Sequence, residues 1–232
     1  MLRSIKEIIG YKMLASDGVI GECKDFLFED RPWVIRYLVA KPNDWLFGRK
    51  VLLPMTALEN PEWKTQLLHV NLSKSQIEKS PPLSEDEPVS REYEKQSFLY
   101  YGWPAYWEHS LPDGPAEDSQ LRSVNEVTGY TVQGIDKRIG QIEDMIIEDD
   151  IWAIRYLAVQ TIREFGEKMI LLAPQWVQSV DWLNQAVTVG LADDAVSNSP
   201  EYNPRQTINR DAEAALYDYH GRPYYWDIDS TV

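Results

Sequence analysis

The hexapeptide WVIRYL at Trp33–Leu38 returns as WAIRYL at Trp152–Leu157, and the two copies lie 119 residues apart. At the same offset, LRSIKEIIGY at Leu2–Tyr11 becomes LRSVNEVTGY at Leu121–Tyr130. Over the first 39 aligned pairs from Leu2 onward, 17 pairs are identical. The chain is therefore an internal duplication, and we expect both repeats to form the same structure.

The apolar residues within each repeat alternate as they do in β-strands. Trp33, Ile35 and Tyr37 fall on one face of a strand, and both faces are largely apolar. The dipeptide Asp17-Gly18 is typical of a hairpin turn between two strands. With further short strands at Lys50–Pro54 and Leu67–Leu72, about five or six strands per repeat predict a small closed barrel.

The end of each repeat has the sequence pattern of a helical arm. Ser90 and Asn209 are suitable N-caps, and Gly102 and Gly221 suit the position just after a helix. The spacing predicts a helix of about three turns in each arm. An aromatic hook follows each helix and contains Tyr100, Tyr101, Trp103, Tyr106 and Trp107 in the first repeat, and Tyr219, Tyr224, Tyr225 and Trp226 in the second.

Four motifs of the first repeat together resemble the PRC-barrel domain. They are DGVIGE at Asp17–Glu22, Asp25–Asp30, Trp33–Val39 and Trp45–Pro54. The family is named from the cytoplasmic part of the H subunit of purple-bacterial photosynthetic reaction centres, and it also includes a domain of a ribosome-maturation factor. The second repeat follows the pattern but has Lys137 in place of the hairpin glycine. The resemblance implies a six-stranded barrel that docks onto a larger partner.

We therefore predict a mainly β protein with two tandem PRC-type small β-barrels, each followed by a short helical arm with an aromatic hook. The arms resemble those of stand-alone tandem PRC-barrel proteins of bacteria. The predicted divisions are a first barrel at 1–83, a first arm at 84–110, an acidic linker at 111–120, a second barrel at 121–200 and a second arm at 201–232.

Composition excludes several classes of protein. With 37 acidic and 23 basic residues the net charge is −14, so the chain lacks the basic surface that direct nucleic-acid binding requires. The single cysteine, Cys23, excludes an internal disulfide and a thiolate metal cluster. No apolar run approaches the ~20 residues of a membrane span, and the N-terminus lacks a signal-peptide pattern. We therefore expect a cytoplasmic protein that contacts membranes only through a partner.

Motifs for catalysis are missing from the sequence. It contains no glycine-rich phosphate loop, nucleophile elbow or metal-ligand spacing, so we predict no enzyme activity and no catalytic, cofactor or metal site. Arginine within an apolar strand needs a charged partner, and we predict structural ion pairs of Arg36 with Asp25 and of Arg155 with Asp144. The acidic pairs that begin at Glu29 and Glu148 are expected to be solvated turn residues.

Three functional hypotheses are compatible with these features. The first is a non-enzymatic adaptor whose acidic surface favours a protein partner with a basic patch. The second is a soluble H-subunit-like component of a membrane electron-transfer complex, and the third is a factor associated with ribosome or RNA maturation. The aromatic hooks are candidates for contact with a partner or for packing between domains, and a homo-oligomer is left open.

Overall fold

The structure is a computed structural model that describes residues 1–42, 49–83, 89–108 and 120–228. The predicted linker lies outside the described residues except for Gln120, as do the segment 45–48 of the fourth motif and residues 84–88 and 109–110 of the predicted first arm. The strands in chain order are β1 (Leu2–Ser4), β2 (Lys12–Ala15), β3 (Gly18–Glu29), β4 (Val34–Pro42), β5 (Val51–Pro54), β6 (Leu67–Val70), β7 (Leu121–Ser123), β8 (Thr131–Gln133), β9 (Arg138–Glu148), β10 (Ala153–Thr161), β11 (Met169–Leu172), β12 (Val177–Asp181) and β13 (Ala186–Val189).

The helices are short, and the fold is mainly β as predicted. They are α1 (Lys74–Glu78), α2 (Arg91–Tyr101), α3 (Val124–Val127), α4 (Asp193–Ser197), α5 (Arg210–His220) and α6 (Tyr225–Ile228). Among the described residues, no helix has the length and apolar character needed to cross a membrane.

The chain forms two compact units. The first unit contains Lys6–Asn125 and Asp149–Ala153, and the second contains Met1–Ile5, Glu126–Glu148 and Ile154–Val232. Each unit therefore holds most of one repeat, together with a short piece of the other.

The first unit is built around the long strand β3. This strand pairs antiparallel with β2 on one side and β4 on the other, and β4 pairs with β5. Strand β6 pairs parallel with β2, and β3, β4 and β5 lie between these two strands in the chain. The predicted hairpin turn is confirmed, because Asp17 and Gly18 connect β2 to β3 and Gly18 has φ of +133°. Buried Phe26, Phe28 and Leu38 belong to its core.

The second unit repeats these pairings. Strand β9 pairs antiparallel with β8 and lies next to β10, which pairs with β11. Strand β13 is parallel to β8 and antiparallel to β12. Its core includes the fully buried Val132, Ile142 and Tyr156.

Each unit takes one strand from the start of the other repeat. Strand β1 opens the first repeat but pairs with β9, and β7 opens the second repeat but pairs with β3. Two matching hydrogen bonds secure them, from Ser4 Oγ to Asp144 and from Ser123 Oγ to Asp25, both at 2.5 Å. The compact units therefore differ from the sequence repeats at these two strands.

The predicted ends of both arm helices are confirmed. Ser90 accepts a hydrogen bond from the Tyr93 amide at the start of α2, and Asn209 does the same for the Ala212 amide in α5. Gly102 follows α2 with φ of 70°, a left-handed conformation that an L side chain rarely adopts. The caps fix where each arm helix begins and therefore which of its residues face the sheet.

Candidate functional site

A buried carboxylate on each arm helix is the centre of the polar contacts between arm and sheet. In the first unit, Glu94 Oε1 accepts hydrogen bonds from Tyr37 Oη at 2.9 Å and from Tyr106 Oη at 2.7 Å. The guanidinium of Arg91 lies 2.8 Å from the other oxygen of Glu94. A buried charge persists only when it is paired, and these three donors stabilise the Glu94 carboxylate.

A second ion pair lies against the first. Arg36 donates twice to Glu29 Oε2, at 2.8 and 2.6 Å, and Glu29 is only 1% exposed. The guanidinium of Arg36 also lies 4.1 Å from the centroid of the Tyr106 ring, within cation–π range. We call these residues the first arm cluster: Glu29, Arg36, Tyr37, Arg91, Glu94 and Tyr106.

The second unit contains the same arrangement. Glu213 Oε1 accepts from Tyr156 at 2.8 Å and from Tyr225 at 2.9 Å, and Arg210 lies 3.2 Å from its other oxygen. Arg155 is 2.8 Å from Glu148, and its guanidinium is 4.1 Å from the Tyr225 ring centroid. The second arm cluster is Glu148, Arg155, Tyr156, Arg210, Glu213 and Tyr225.

These contacts correct the predicted partners of the strand arginines. Arg36 pairs with Glu29, because Glu29 lies opposite Val34 and so shares a face of the sheet with Arg36. Asp25 lies opposite Val39 on the other face, where it accepts from Ser123.

The second repeat follows the same pattern. Arg155 pairs with Glu148, and Asp144 accepts a hydrogen bond from Ser4. The expectation of solvated turn residues is therefore wrong for Glu29 and Asp149, which are buried. It is also wrong for Glu148 and Asp30, which are half-buried in ion pairs with Arg155 and Arg122.

The inner residues of both aromatic hooks fold back onto the helix of their own arm. The ring centroid of Trp107 lies 5.1 Å from that of Phe98, and Trp226 lies 5.6 Å from Tyr217. The guanidinium of Arg91 sits 4.8 Å from the Trp107 ring, and that of Arg210 sits 4.2 Å from Trp226. Tyr106 and Tyr225 belong to the arm clusters. These contacts hold each hook within its own unit.

The other hook contacts are ring stacking in pairs and hydrogen bonds at the surface. Tyr101 stacks on Trp103 at 4.3 Å, and Tyr224 stacks on Trp226 at 4.6 Å. Tyr100 and Tyr219 are exposed, and their hydroxyls donate to the carbonyls of Gln76 in α1 and Ala195 in α4. Tyr100 and Tyr219 are therefore the hook residues that solvent reaches most easily.

Burial sets the protonation of the cluster. It raises the pKa of Glu94, against the opposing effects of Tyr106, Arg91 and Tyr37. It also raises the pKa of Tyr37 and of Tyr106, and the nearby Glu94 carboxylate raises both further. Burial likewise raises the pKa of Tyr225 to about 12. The phenols therefore remain protonated at neutral pH and serve as donors to the carboxylates.

The polar groups of the arm clusters act as a structural clamp, which holds each arm helix against the sheet. The carboxylates of Glu94 and Glu213 are each held by two phenols and a guanidinium, so they are engaged in fixing the arm. Elsewhere in the part of the chain that the structure describes, no three His, Cys, Asp or Glu side chains group as metal ligands would.

Sequence reasoning missed the two carboxylates at the centre of the clusters. Glu94 and Glu213 lie in polar sequences that are typical of solvent-exposed helices, so no local pattern marks either residue as buried. The signal that identifies them is the offset between the repeats, which aligns Glu94 with Glu213 and Glu29 with Glu148. A glutamate that recurs at the same offset as Tyr37 and Tyr106 indicates a buried contact that both repeats share.

Two comparisons with known proteins identify no relative of the chain. A scan against protein-family models finds none that matches the chain. A search of curated proteins finds no significant match either.

Proposed function

We propose that the chain is a non-enzymatic protein–protein adaptor built of two PRC-type barrels, with a binding surface on the first arm. The sequence motifs that resemble the PRC-barrel domain support this reading, as does the net charge of −14. In both arms the buried charged residues of the arm cluster hold the arm helix against the sheet. Such a structural role for charged residues suits a scaffold that presents a surface to a partner.

The observation that carries the proposal is an apolar surface on helix α2. Leu99 is 84% exposed, and the adjacent Tyr100 is 41% exposed. At the position equivalent to Leu99, helix α5 has Asp218, so the two arms differ in this property.

The charge of the chain indicates the kind of partner. An acidic protein is attracted to a partner with basic residues, and such attraction raises the rate of encounter and selects against acidic partners. We therefore expect an apolar side chain on the partner to cover Leu99, with basic residues around it.

Affinity capture of the tagged chain from its own host tests the proposal. Membranes, the ribosome fraction and the ribosome-depleted soluble extract are analysed separately by mass spectrometry. The variant Leu99→Asp gives the first arm the residue of the second. Leu183→Asp is the matched control, because Leu183 is 90% exposed in the turn between β12 and β13.

The adaptor proposal expects one soluble partner that Leu99→Asp loses and Leu183→Asp retains. A partner that survives Leu99→Asp overturns the assignment of the surface. Recovery of a membrane redox complex would replace the adaptor by the H-subunit-like component, and recovery of ribosomal particles would replace it by the maturation factor.

A further inference from the structure

The second unit contains a pocket beside its arm cluster. The pocket has a volume of about 110 Å³ and lies among α5, β11 and the segment that leads into α5. Leu171, Ile208 and Leu216 provide apolar walls, and Tyr156 and Glu213 contribute to its inner surface. An apolar cavity of roughly 150 Å³ binds benzene, and this pocket is smaller, so a single six-membered ring is the largest ligand that it can hold.

The first repeat shows what occupies the equivalent place. Ala212 lines the pocket, and the residue at the same position of helix α2 is Tyr93. The Tyr93 ring packs against the core of the first unit, and its hydroxyl donates to the carbonyl of Pro81 at 3.3 Å. Pro200, the counterpart of Pro81, lines the pocket of the second unit. The space between Ala212 and Pro200 therefore corresponds to the space that the Tyr93 ring fills in the first repeat.

We propose that this pocket binds a small neutral phenol. The ring lies against the apolar walls, in the place that Tyr93 takes in the first unit, and the hydroxyl donates to the Pro200 carbonyl. A simple phenol has a pKa near 10, as tyrosine does, and so enters the pocket uncharged at neutral pH.

Charge on the pocket wall selects against an anionic ligand. Glu201 and Glu213 both line the pocket, which disfavours an anion such as a benzoate. A cation finds no unsatisfied carboxylate at Glu213, because Arg210, Tyr156 and Tyr225 already contact it. The remaining polar lining includes Tyr202 and Thr207, whose hydroxyls suit a neutral polar ligand.

Fluorine NMR of 4-fluorophenol with the full-length protein tests the proposal. The wild-type protein should broaden the fluorine signal, and unlabelled 4-methylphenol should restore the narrow line by competition. Anionic 4-fluorobenzoate should stay narrow. The variant Ala212→Tyr fills the pocket with the protein's own phenol and should abolish the broadening. Ala215→Tyr places the same ring on an exposed position of α5 outside the pocket lining and should leave the broadening unchanged.

The reciprocal variant makes the test independent of the folding of Ala212→Tyr. Tyr93→Ala removes the ring from the first unit and should add a second binding site, seen as increased broadening at the same protein concentration. Circular dichroism confirms that each variant is folded. A narrow signal with wild-type protein overturns the proposal, as does undiminished broadening with folded Ala212→Tyr or no gain with folded Tyr93→Ala.

Discussion

The first and second arm clusters keep the same charged groups but surround them with different packing. Glu94 and Glu213 each accept from two tyrosines and face an arginine one helical turn earlier. Around them, Tyr93 of the first arm is replaced by Ala212. Tyr101 is likewise replaced by His220.

The difference shows which contacts a duplicated fold can change. A buried carboxylate that loses one donor leaves a charge or a phenol unsatisfied, so every member of the cluster depends on the others. Apolar volume can be redistributed among neighbours at lower cost, or left as a pocket. The polar cluster therefore stays the same in both arms, while the ring at Tyr93 is missing from the second.

The largest effect is expected from removing the central carboxylate. Glu94→Ala leaves Tyr37 and Tyr106 without their acceptor and Arg91 without its nearest charge, and should lower the free energy of unfolding by about 3–5 kcal/mol. Glu213→Ala should cost less, because the Arg210 side chain is more exposed than that of Arg91.

Urea unfolding followed by tryptophan fluorescence measures both effects. The near-isosteric Glu94→Gln, which keeps an acceptor for the tyrosines, is the control and should cost less than Glu94→Ala. Equal and small losses, below about 1 kcal/mol, would contradict the role of the carboxylates as clamps.

The serines that secure the exchanged strands should give the next largest effect. Ser123→Ala removes a donor from buried Asp25 and should cost about 1.5–3 kcal/mol, the range for hydrogen bonds to charged groups. Ser4→Ala, which removes the matching bond to half-buried Asp144, should cost less.

The pH dependence identifies the cause of this loss. Burial raises the pKa of Asp25, and the Ser123 hydrogen bond opposes that rise. Ser123→Ala should therefore raise the pKa of Asp25 further and be more destabilising at pH 7 than near pH 3, because the serine hydrogen bond favours the ionised form of the carboxyl group. A cost that is the same at both pH values would show that the serine acts only through packing.

His220 should make the second arm more sensitive to acid than the first. Burial, with a smaller effect of Arg222, lowers the pKa of His220 to about 4. Its neutral form stabilises the fold above the ordinary pKa of 6.5, and that stability is lost as the pH falls from about 6.5 to about 4. Because the ring is only partly buried, we expect about 1–2 kcal/mol across this interval.

The first repeat supplies the control residue for this test. His220→Tyr gives the second arm the tyrosine of position 101, which does not titrate in this range. The difference in free energy of unfolding between variant and wild type, measured at pH 7 and at about pH 4.5, should change in favour of the variant on acidification. A constant difference would mean that His220 titrates normally in the folded chain.

Local patterns predicted much of this fold. The Asp17-Gly18 hairpin, the N-caps at Ser90 and Asn209 and the left-handed Gly102 each follow from a few neighbouring residues. Strands β1 and β7 were missed because three residues carry too short an alternation to reveal a strand.

The ion pairs were misassigned for a different reason. The choice between Asp25 and Glu29 depends on the register of β3 against β4, which includes two irregularities that alternation alone does not reveal. The central carboxylates depend on contacts between residues 57 positions apart, such as Tyr37 and Glu94. Only the comparison of one repeat with the other contains that information.

The smallest effect is expected where the arms agree at the surface. Tyr100→Phe and Tyr219→Phe each remove one hydroxyl that donates to a carbonyl of the preceding helix, at 2.9 and 3.1 Å. Water replaces such an exposed bond, so each variant should lose about 0.5 kcal/mol or less in urea unfolding. The two losses should also be equal, because geometry and exposure match. A clearly larger loss in one arm would show that its outer ring is held by packing that the other arm lacks, and the equivalence of the arms would then end at the buried clusters.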